Sequence, residues 1–193
     1  MTIYEIKENN KKLTIECDDD SESPREWDNM WTIACWHRSY NLGDRQINSP
    51  DGLYEELDEE YGKDGYLHRP LFIYDHSGIT VSLTPFGCRW DSGQVGVCYI
   101  SKDKIKKEYG DSSDESINKA LKYLKGEIEI YDQYVRGEVY HFLYEEYVID
   151  CEHCKSGHWE AIDSCGGFYG YDIKKNGMLE HLPEEAVKLI GDD

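Results

Sequence analysis

The chain has 193 residues, of which 40 are Asp or Glu and 21 are Lys or Arg, giving a formal net charge of -19 at pH 7. A surface this negative repels phosphate groups, which argues against direct binding to nucleic acid or to anionic membranes. The aromatic content of 13% argues against intrinsic disorder, and no apolar run approaches the roughly 20 residues of a membrane-spanning helix.

Alternating apolar residues predict strands in the first part of the chain. Residues 3–6 and 13–17 form two short strands joined by a turn at Asn9–Asn10. Residues 31–36 form another strand candidate. The polar segment between these strands, residues 18–26, is predicted to be a loop.

A short amphipathic helix is predicted to follow Ser49. Ser49 suits the N-cap, Pro50 suits the first helical position, and Gly62 ends the pattern. The acidic residues fill one face of this helix, and the apolar face is made by Leu53, Leu57 and Tyr61.

The middle of the chain predicts further strands and a second short helix. Residues 71–74 and 79–83 form the clearest antiparallel pair, and residues 94–100 form another strand. Ser101 caps a helix that stops at Gly110.

The strongest helical signal runs from about Ser113 to Arg136. A capping box begins it, and Gly126 is its weakest position. Its apolar stripe, which predicts packing on a sheet, consists of Ile117, Leu121, Leu124, Ile128, Tyr131 and Val135.

Strands at 138–149 and 159–163 and a last helix at 183–190 complete the predicted elements. Strands and helices do not alternate strictly, which favours the α+β class. We therefore predict a single domain over residues 1–193, with a mostly antiparallel sheet packed by one long helix.

The seven cysteines are odd in number, and the first residues lack the basic and apolar segments of a secretion signal. Both features argue against a disulfide framework and favour a reducing cytosol. The predicted location is therefore cytoplasmic.

Residues 148–170 contain the strongest local chemical signal, a C-x2-C-x3-H-x6-C pattern. It predicts a small hairpin with a structural zinc ion, because two thiolates of a C-x2-C turn can share one tetrahedral metal. The pattern resembles the zinc knuckle but differs at both later spacings, and its acidic surroundings do not suit nucleic acid. The predicted ligands are Cys151, Cys154, His158 and Cys165.

Two alternatives remain open at this hairpin. His153 is another candidate for the third ligand. Cys151 and Cys154 are alternatively a pair of thiols without any metal. A redox role for this pair has little support, because no thioredoxin-like βαβ pattern surrounds it.

Catalytic patterns are weak in this sequence. There is no nucleophile elbow, P-loop or dinucleotide fingerprint, so we predict no enzymatic activity. Cys35 and His37 share a strand face, and Cys88 or His76 is a candidate third member of that cluster; a buried cysteine beside an exposed histidine is the simpler interpretation. The catalytic alternative is a small hydrolase that uses the His76 or Cys88 region.

Acidic residues are concentrated towards both ends of the chain. Residues 1–70 and 138–193 each carry a net charge of -9, whereas residues 71–137 carry -1. Such runs are either solvated faces that maintain solubility or a surface that imitates the phosphates of a nucleic acid.

Two acidic runs are candidate partner-binding residues. On the helix after Ser49, Leu57 faces inward, which leaves Glu55, Glu56, Glu59 and Glu60 free to project. The loop acids would first have to be ordered, at about 1–2 kcal/mol per residue; they are Asp18, Asp19 and Asp20.

Three segments carry a resemblance to known proteins: TPFGCRWDSGQVG at 84–96, YDQYVRGEVY at 131–140 and DSCGGFYG at 163–170. Together they resemble a family of small acidic proteins encoded by phages and mobile elements of Gram-positive bacteria, over about residues 70 to 180. Where that family has Trp after the cysteine of its last motif, this chain has Gly166.

The resembled family has no settled activity, but an acidic, phage-type protein with a predicted metal site is similar in class to proteins of counter-defence. Anti-CRISPR inhibitors and antirestriction proteins are often small and strongly acidic, some imitate DNA, and at least one Cas9 inhibitor contains zinc. The implied function is a non-enzymatic inhibitor that acts in the host cytosol and binds a basic surface of a bacterial protein such as Cas9, blocking its DNA binding. Antirestriction by DNA mimicry is the alternative.

Overall fold

The computed structural model describes residues 2–190, and the chain divides into two compact units. The first unit combines the residues up to Glu22 with those from Gly137 onward, and the second comprises Ser23–Arg136. The second unit is therefore inserted into the first. That residues 1–193 form a single domain stays a prediction.

The chain belongs to the predicted α+β class, but it has two mostly antiparallel sheets and several helices where one sheet packed by one long helix was expected. The strands are β1 (Thr2–Glu8), β2 (Lys11–Cys17), β3 (Thr32–Cys35), β4 (Arg45–Gln46), β5 (Tyr66–Asp75), β6 (Ile79–Ser82), β7 (Ser92–Ser101), β8 (Val139–Cys151) and β9 (Ser156–Tyr169). The helices are α1 (Pro50–Tyr61), α2 (Lys102–Tyr109), α3 (Asp114–Val135), α4 (Met178–His181) and α5 (Glu184–Ile190), and a 3₁₀ turn covers Pro24–Glu26.

The first unit contains an antiparallel sheet with strand order β1-β2-β8-β9. Apolar side chains of its strands form a core with residues of α4 and α5. The buried members of this core are Leu13, Ile15, Tyr140, Phe142, Tyr144, Phe168, Met178, Leu182 and Ala186.

The β8–β9 ribbon continues beyond the rest of this sheet. Pairing between β2 and β8 ends at Glu146, and the Tyr147 backbone N–H donates to Asn10 O at 2.7 Å. From there to the Cys151 pairing with Ser156, β8 pairs with β9 alone. The far end of the ribbon is thus a two-stranded extension.

The second unit contains a sheet with strand order β4-β3-β7-β5-β6, in which only the β3–β4 pairing is parallel. Neighbouring residues of its strands belong to different cores because successive side chains point to opposite faces. Ile33 and Cys98 lie in a core shared with α3, whereas Ala34 and Val97 lie in a core shared with α1. The two helices therefore cover opposite faces of this sheet.

The helix boundaries follow local sequence signals. The side chains of Ser49, Ser101 and Ser113 accept hydrogen bonds at the N-caps of α1, α2 and α3. Gly62 and Gly110 end α1 and α2 with positive φ, which glycine adopts without steric penalty. The described helices include none long and apolar enough to cross a membrane.

Candidate functional site

The acidic face of α1 is presented by a well-anchored helix. Leu53 and Leu57 are 2% and 0% exposed and pack on the second-unit sheet. Glu55 and Glu59 lie one turn apart on the exposed face. Because the apolar residues fix the rotation of the helix, the orientation of these two carboxylates towards solvent is fixed as well.

Two glutamates of α1 are less free than the sequence suggested. Glu56 forms an ion pair with Arg45 at 2.9 Å, and the resulting hydrogen bond lowers the pKa of Glu56. Glu60 is hydrogen-bonded by the Tyr61 side chain, which raises the pKa of Tyr61 to about 12. Glu56 is exposed like the other three glutamates, but Arg45 already balances its charge.

The density of acids on α1 is close to that of a nucleic acid. Six acids lie between Asp51 and Glu60. At about 1.5 Å of rise per residue, that is roughly one carboxylate per 2.3 Å of helix axis. A DNA duplex carries one phosphate charge per about 1.7 Å of its axis. Only part of this charge faces solvent without a partner, because Arg45 pairs with Glu56 and the half-buried Asp58 accepts a hydrogen bond from the Tyr66 hydroxyl.

The acidic loop after β2 is partly fixed by hydrogen bonds within the first unit. The Asp18 backbone N–H donates to Val139 O at 2.8 Å, and Asp18 Oδ2 accepts from the Gly167 backbone N–H at 2.8 Å. Asp19 and Asp20 are exposed. The expectation that all three acids still have to be ordered is therefore wrong for Asp18.

The same hydrogen bond accounts for the glycine at position 166. A Cβ atom on Gly166 would overlap Asp18 Oδ2 and would lie 3.3 Å from the His141 Cβ. A Trp side chain does not fit this position while Asp18 holds Gly167. The acidic loop and the DSCGGFYG motif are thus parts of one local arrangement.

The Cys-x2-Cys pair lies at the exposed tip of the β8–β9 ribbon. Cys151 pairs with Ser156 across the ribbon, and Cys154 Sγ is 3.2 Å from Ser156 Oγ. Hydrogen bonds from the Ser156 hydroxyl, the Ser156 backbone and the Cys151 side chain lower the pKa of the Cys154 thiol to about 7. Cys154 is exposed and Cys151 is half-buried. The two thiols are therefore neighbours.

The other two predicted zinc ligands are not with this pair. Cys165 lies opposite Phe142 and packs against the first-unit core. At about 3.3 Å per residue, this point is roughly 30 Å along β8 from Cys151, whereas zinc–sulfur bonds are about 2.3 Å. His158 Nδ1 instead pairs with Asp150 Oδ2 at 3.0 Å, and this hydrogen bond raises the pKa of His158.

This geometry does not fit a closed four-ligand zinc shell. Among residues 2–190, no group of three or more His, Cys, Asp or Glu side chains is arranged to hold a metal ion. His153, the alternative ligand, is exposed in the turn. The segment predicted as a knuckle-like hairpin is a long β-ribbon, in which pairing holds Cys165 away from the tip.

The loop before β7 brings Cys88 and His76, which the sequence gave as alternative members of one cluster, together with Asp91. Asp91 Oδ2 accepts from the Cys88 thiol at 3.4 Å and lies 3.3 Å from His76 Nδ1. The Ser92 hydroxyl donates to the Cys88 carbonyl oxygen, so the corner is held at several points.

Trp90 stands at this corner and is 93% exposed. Beside it lies a pocket of about 500 Å³ whose wall includes Trp36, Arg38 and Asp75. Segment 89–94 therefore combines a hydrogen-bonded corner with an exposed aromatic side chain beside a pocket. The sequence did not indicate that Trp90 is exposed, because an apolar residue in a loop is as compatible with burial as with exposure.

The other cysteine cluster considered from the sequence does not form. Cys35 is fully buried, and burial raises the pKa of its thiol to about 12. His37 Nδ1 accepts hydrogen bonds from the backbone N–H groups of Ser39 and Tyr40. Cys35 is therefore a core residue, and His37 organises a turn.

A second surface feature lies between α3 and the segment that precedes β3. It is a pocket of about 540 Å³, and its walls include Trp27, Tyr123 and Gly126. A Cβ atom on Gly126 would contact nothing within 4 Å. The glycine that weakens the predicted helix thus lies at an open surface and is not required by close packing.

Comparison of the chain with protein families, with curated proteins and with solved structures gives no match.

Proposed function

We propose that this chain is a non-catalytic, acidic inhibitor that acts in the cytosol of a bacterial host. Its partner is a protein that normally holds nucleic acid in a basic groove, and Cas9 is the example that the sequence resemblance implies. Occupation of the groove by this chain would prevent the binding of DNA. The chain itself needs no contact with nucleic acid or with a membrane.

The acidic face of α1 is the observation that carries this proposal. Acids are dense along this helix, and Glu55 and Glu59 are held on its solvent side by the burial of Leu53 and Leu57. A fixed row binds with a smaller entropy cost than a flexible acidic tail, because its side chains are already oriented. In this proposal the sheet and α3 are the scaffold that keeps α1 in place.

The proposal predicts strong electrostatic steering of association. Opposite charges accelerate the encounter of two proteins, and salt screens exposed charges beyond about 8 Å at physiological ionic strength. The association rate with the basic partner should therefore fall steeply as salt is increased, while the dissociation rate should change less.

The test measures DNA binding and cleavage by several Cas9 orthologues with increasing amounts of the protein. The wild type should inhibit both in at least one orthologue, and Glu55→Lys/Glu59→Lys should slow association by about tenfold or more. Glu180→Lys/Glu184→Lys is the matched control, because it changes net charge equally at exposed positions of other helices.

Each result decides a different part of the proposal. No inhibition of any orthologue would exclude Cas9 as the partner. Inhibition that is equally sensitive to both double variants would show that total charge acts and that α1 does not. If restriction endonucleases are inhibited and Cas9 is not, antirestriction by DNA mimicry, the alternative that rests on the same carboxylates, replaces the Cas9 assignment.

The hydrolase alternative rests on the corner of Cys88, Asp91 and His76. A cysteine nucleophile is activated by a base next to its sulfur. Here the thiol donates to Asp91, and His76 approaches the same carboxylate oxygen. The carboxylate thus lies where a catalytic triad would place the imidazole. We propose that these contacts brace the Trp90 corner.

A further inference from the structure

The tip of the β8–β9 ribbon holds two thiols that belong to none of the three cores described above. Cys151 pairs with Ser156 across the ribbon, and Cys154 Sγ contacts Ser156 Oγ at 3.2 Å. Residues directly opposite in an antiparallel pair have Cβ atoms about 4.5–5.5 Å apart. Ser156 therefore places the sulfur of Cys154 beside Cys151, at the three-residue separation of a Cys-x2-Cys motif.

We propose that Cys151 and Cys154 are a redox-active dithiol, which closes reversibly into a disulfide by exchange with a low-molecular-weight disulfide such as oxidised glutathione. Cys165 lies far along the ribbon and His158 pairs with Asp150, so no third and fourth ligand of a zinc shell joins the two thiols among residues 2–190. Two adjacent accessible thiols retain the chemistry of thiol–disulfide exchange.

Accessibility distinguishes this pair from the other cysteines of the chain. Cys154 is the exposed cysteine of the seven. Cys35 and Cys98 are also close to each other, but both are fully buried, and a small disulfide in solution cannot reach them. The Cys88 thiol is engaged by Asp91. At the ribbon tip, an external disulfide can therefore reach the Cys154 thiol, which has the Cys151 thiol next to it.

The two cysteines have different parts in the exchange. The Cys154 thiol loses its proton, and its sulfur attacks one sulfur of the small disulfide, which forms a mixed disulfide and releases one thiolate. The Cys151 sulfur, after losing its own proton, then attacks the Cys154 sulfur and displaces the second thiolate. The two released thiolates take up two protons, so the pair is oxidised by two electrons and the small disulfide is reduced to two thiols.

The position of the tip allows this closure without disturbance of the sheet core. Beyond Tyr147, β8 pairs with β9 alone, and Glu152, His153 and Lys155 in the turn are exposed. Substitution of the cysteines therefore removes no core contact. Cysteine variants at the tip can therefore be compared with the wild type in the intact, folded protein.

The experiment treats the reduced, full-length protein with oxidised glutathione and analyses it by mass spectrometry and peptide mapping. The wild type should lose two hydrogen atoms and show a Cys151–Cys154 link, which dithiothreitol should reverse. Cys151→Ser should stop at a mixed disulfide with one glutathione on Cys154, because the second attacking sulfur is absent. Cys154→Ser should lose the reaction at this tip.

Cys165→Ser is the control that separates this proposal from a zinc site. A dithiol predicts that it reacts like the wild type, and that protein prepared without chelator contains no stoichiometric zinc. Bound zinc that protects both tip thiols and is lost in Cys165→Ser would overturn the proposal. A wild type that stays fully reduced, or that links other cysteines, would also overturn it.

Discussion

Gly166 lies where two parts of the first unit approach closely. The side chain of Asp18 reaches across to the backbone N–H of Gly167, and a Cβ atom on Gly166 would occupy the space of that carboxylate. The identity of one glycine therefore decides whether the acidic loop is attached to β9. Because Gly166 has no side chain, the Asp18 carboxylate has room to accept the hydrogen bond from Gly167.

We expect Gly166→Ala to detach Asp18 and to lower the free energy of unfolding by about 1.5–3 kcal/mol, the usual effect of losing a hydrogen bond to a charged group. Urea denaturation measures the change. Asp18→Ala should have a similar effect, and the double variant should be little worse than either single one. Gly93→Ala is the control, since its new Cβ meets nothing within 4 Å; an equal loss there would refute this explanation.

The N-terminus of α3 is held by an acid outside the helix. Asp111 Oδ1 accepts hydrogen bonds from the Ser113 hydroxyl and backbone N–H and from the Ser116 hydroxyl. These hydrogen bonds, of which the one from Ser116 contributes most, lower the pKa of Asp111 to about 2. The folded protein therefore prefers the ionised carboxylate.

This preference predicts a pH dependence of stability with a definite sign. Because the folded pKa lies below the ordinary value of 3.8, the contribution of Asp111 is present above about pH 4 and is lost as the pH falls towards 2. Asp111→Asn should reduce the fall in unfolding free energy between pH 5 and pH 2.5. Asp114→Asn, at a neighbouring exposed acid, is the comparison, and equal slopes for both variants would contradict the assignment.

The inward face of α3 predicts a large effect on stability. Leu124 is 0% exposed in the core of the second unit, so Leu124→Ala should lower the unfolding free energy by about 2–5 kcal/mol. Lys125→Ala, at the next and exposed position, should change it by less than about 0.5 kcal/mol. Denaturant midpoints measure both, and similar values would mean that the stripe does not support the fold.

Local signals predicted the elements well because those signals act over a few residues. Ser113 and Gly110 mark helix ends through caps that involve only their own turn. The zinc prediction depended instead on how far β8 and β9 pair. Six residues separate His158 from Cys165. They place Cys165 beside the ribbon tip if the chain loops back at the tip, and far from the tip if strand pairing continues through Phe142. Spacing alone does not distinguish these cases.

Contacts between distant parts of the chain could not be predicted from local patterns. Arg45 lies before α1 and pairs with Glu56 only because β4 runs at the edge of the sheet that α1 covers. The insertion of Ser23–Arg136 into the first unit could not be predicted from the sequence either, because the boundary at Gly137 has the same local signals as any other helix end. The charge of the helix was predictable, whereas its partial neutralisation was not.

At the scale of the whole molecule, the inserted unit has cores of its own. All the residues of its two core clusters lie between Ser23 and Arg136. We therefore expect residues 23–136 expressed alone to fold with a single cooperative thermal transition. Circular dichroism and amide exchange of this polypeptide measure it. Broad, non-cooperative melting, or rapid exchange of the amides of β7, would show that the second unit depends on the first.

The pairing of Leu13 with Tyr144 across β2 and β8 constrains the order of events during synthesis. The β1–β2 hairpin leaves the ribosome first, but its neighbour in the sheet follows only after all of the inserted residues. Closing such a long loop costs less chain entropy once the intervening segment is compact. Folding of the second unit therefore precedes completion of the first, and until then β2 exposes an unpaired edge that a chaperone or a second nascent chain can reach.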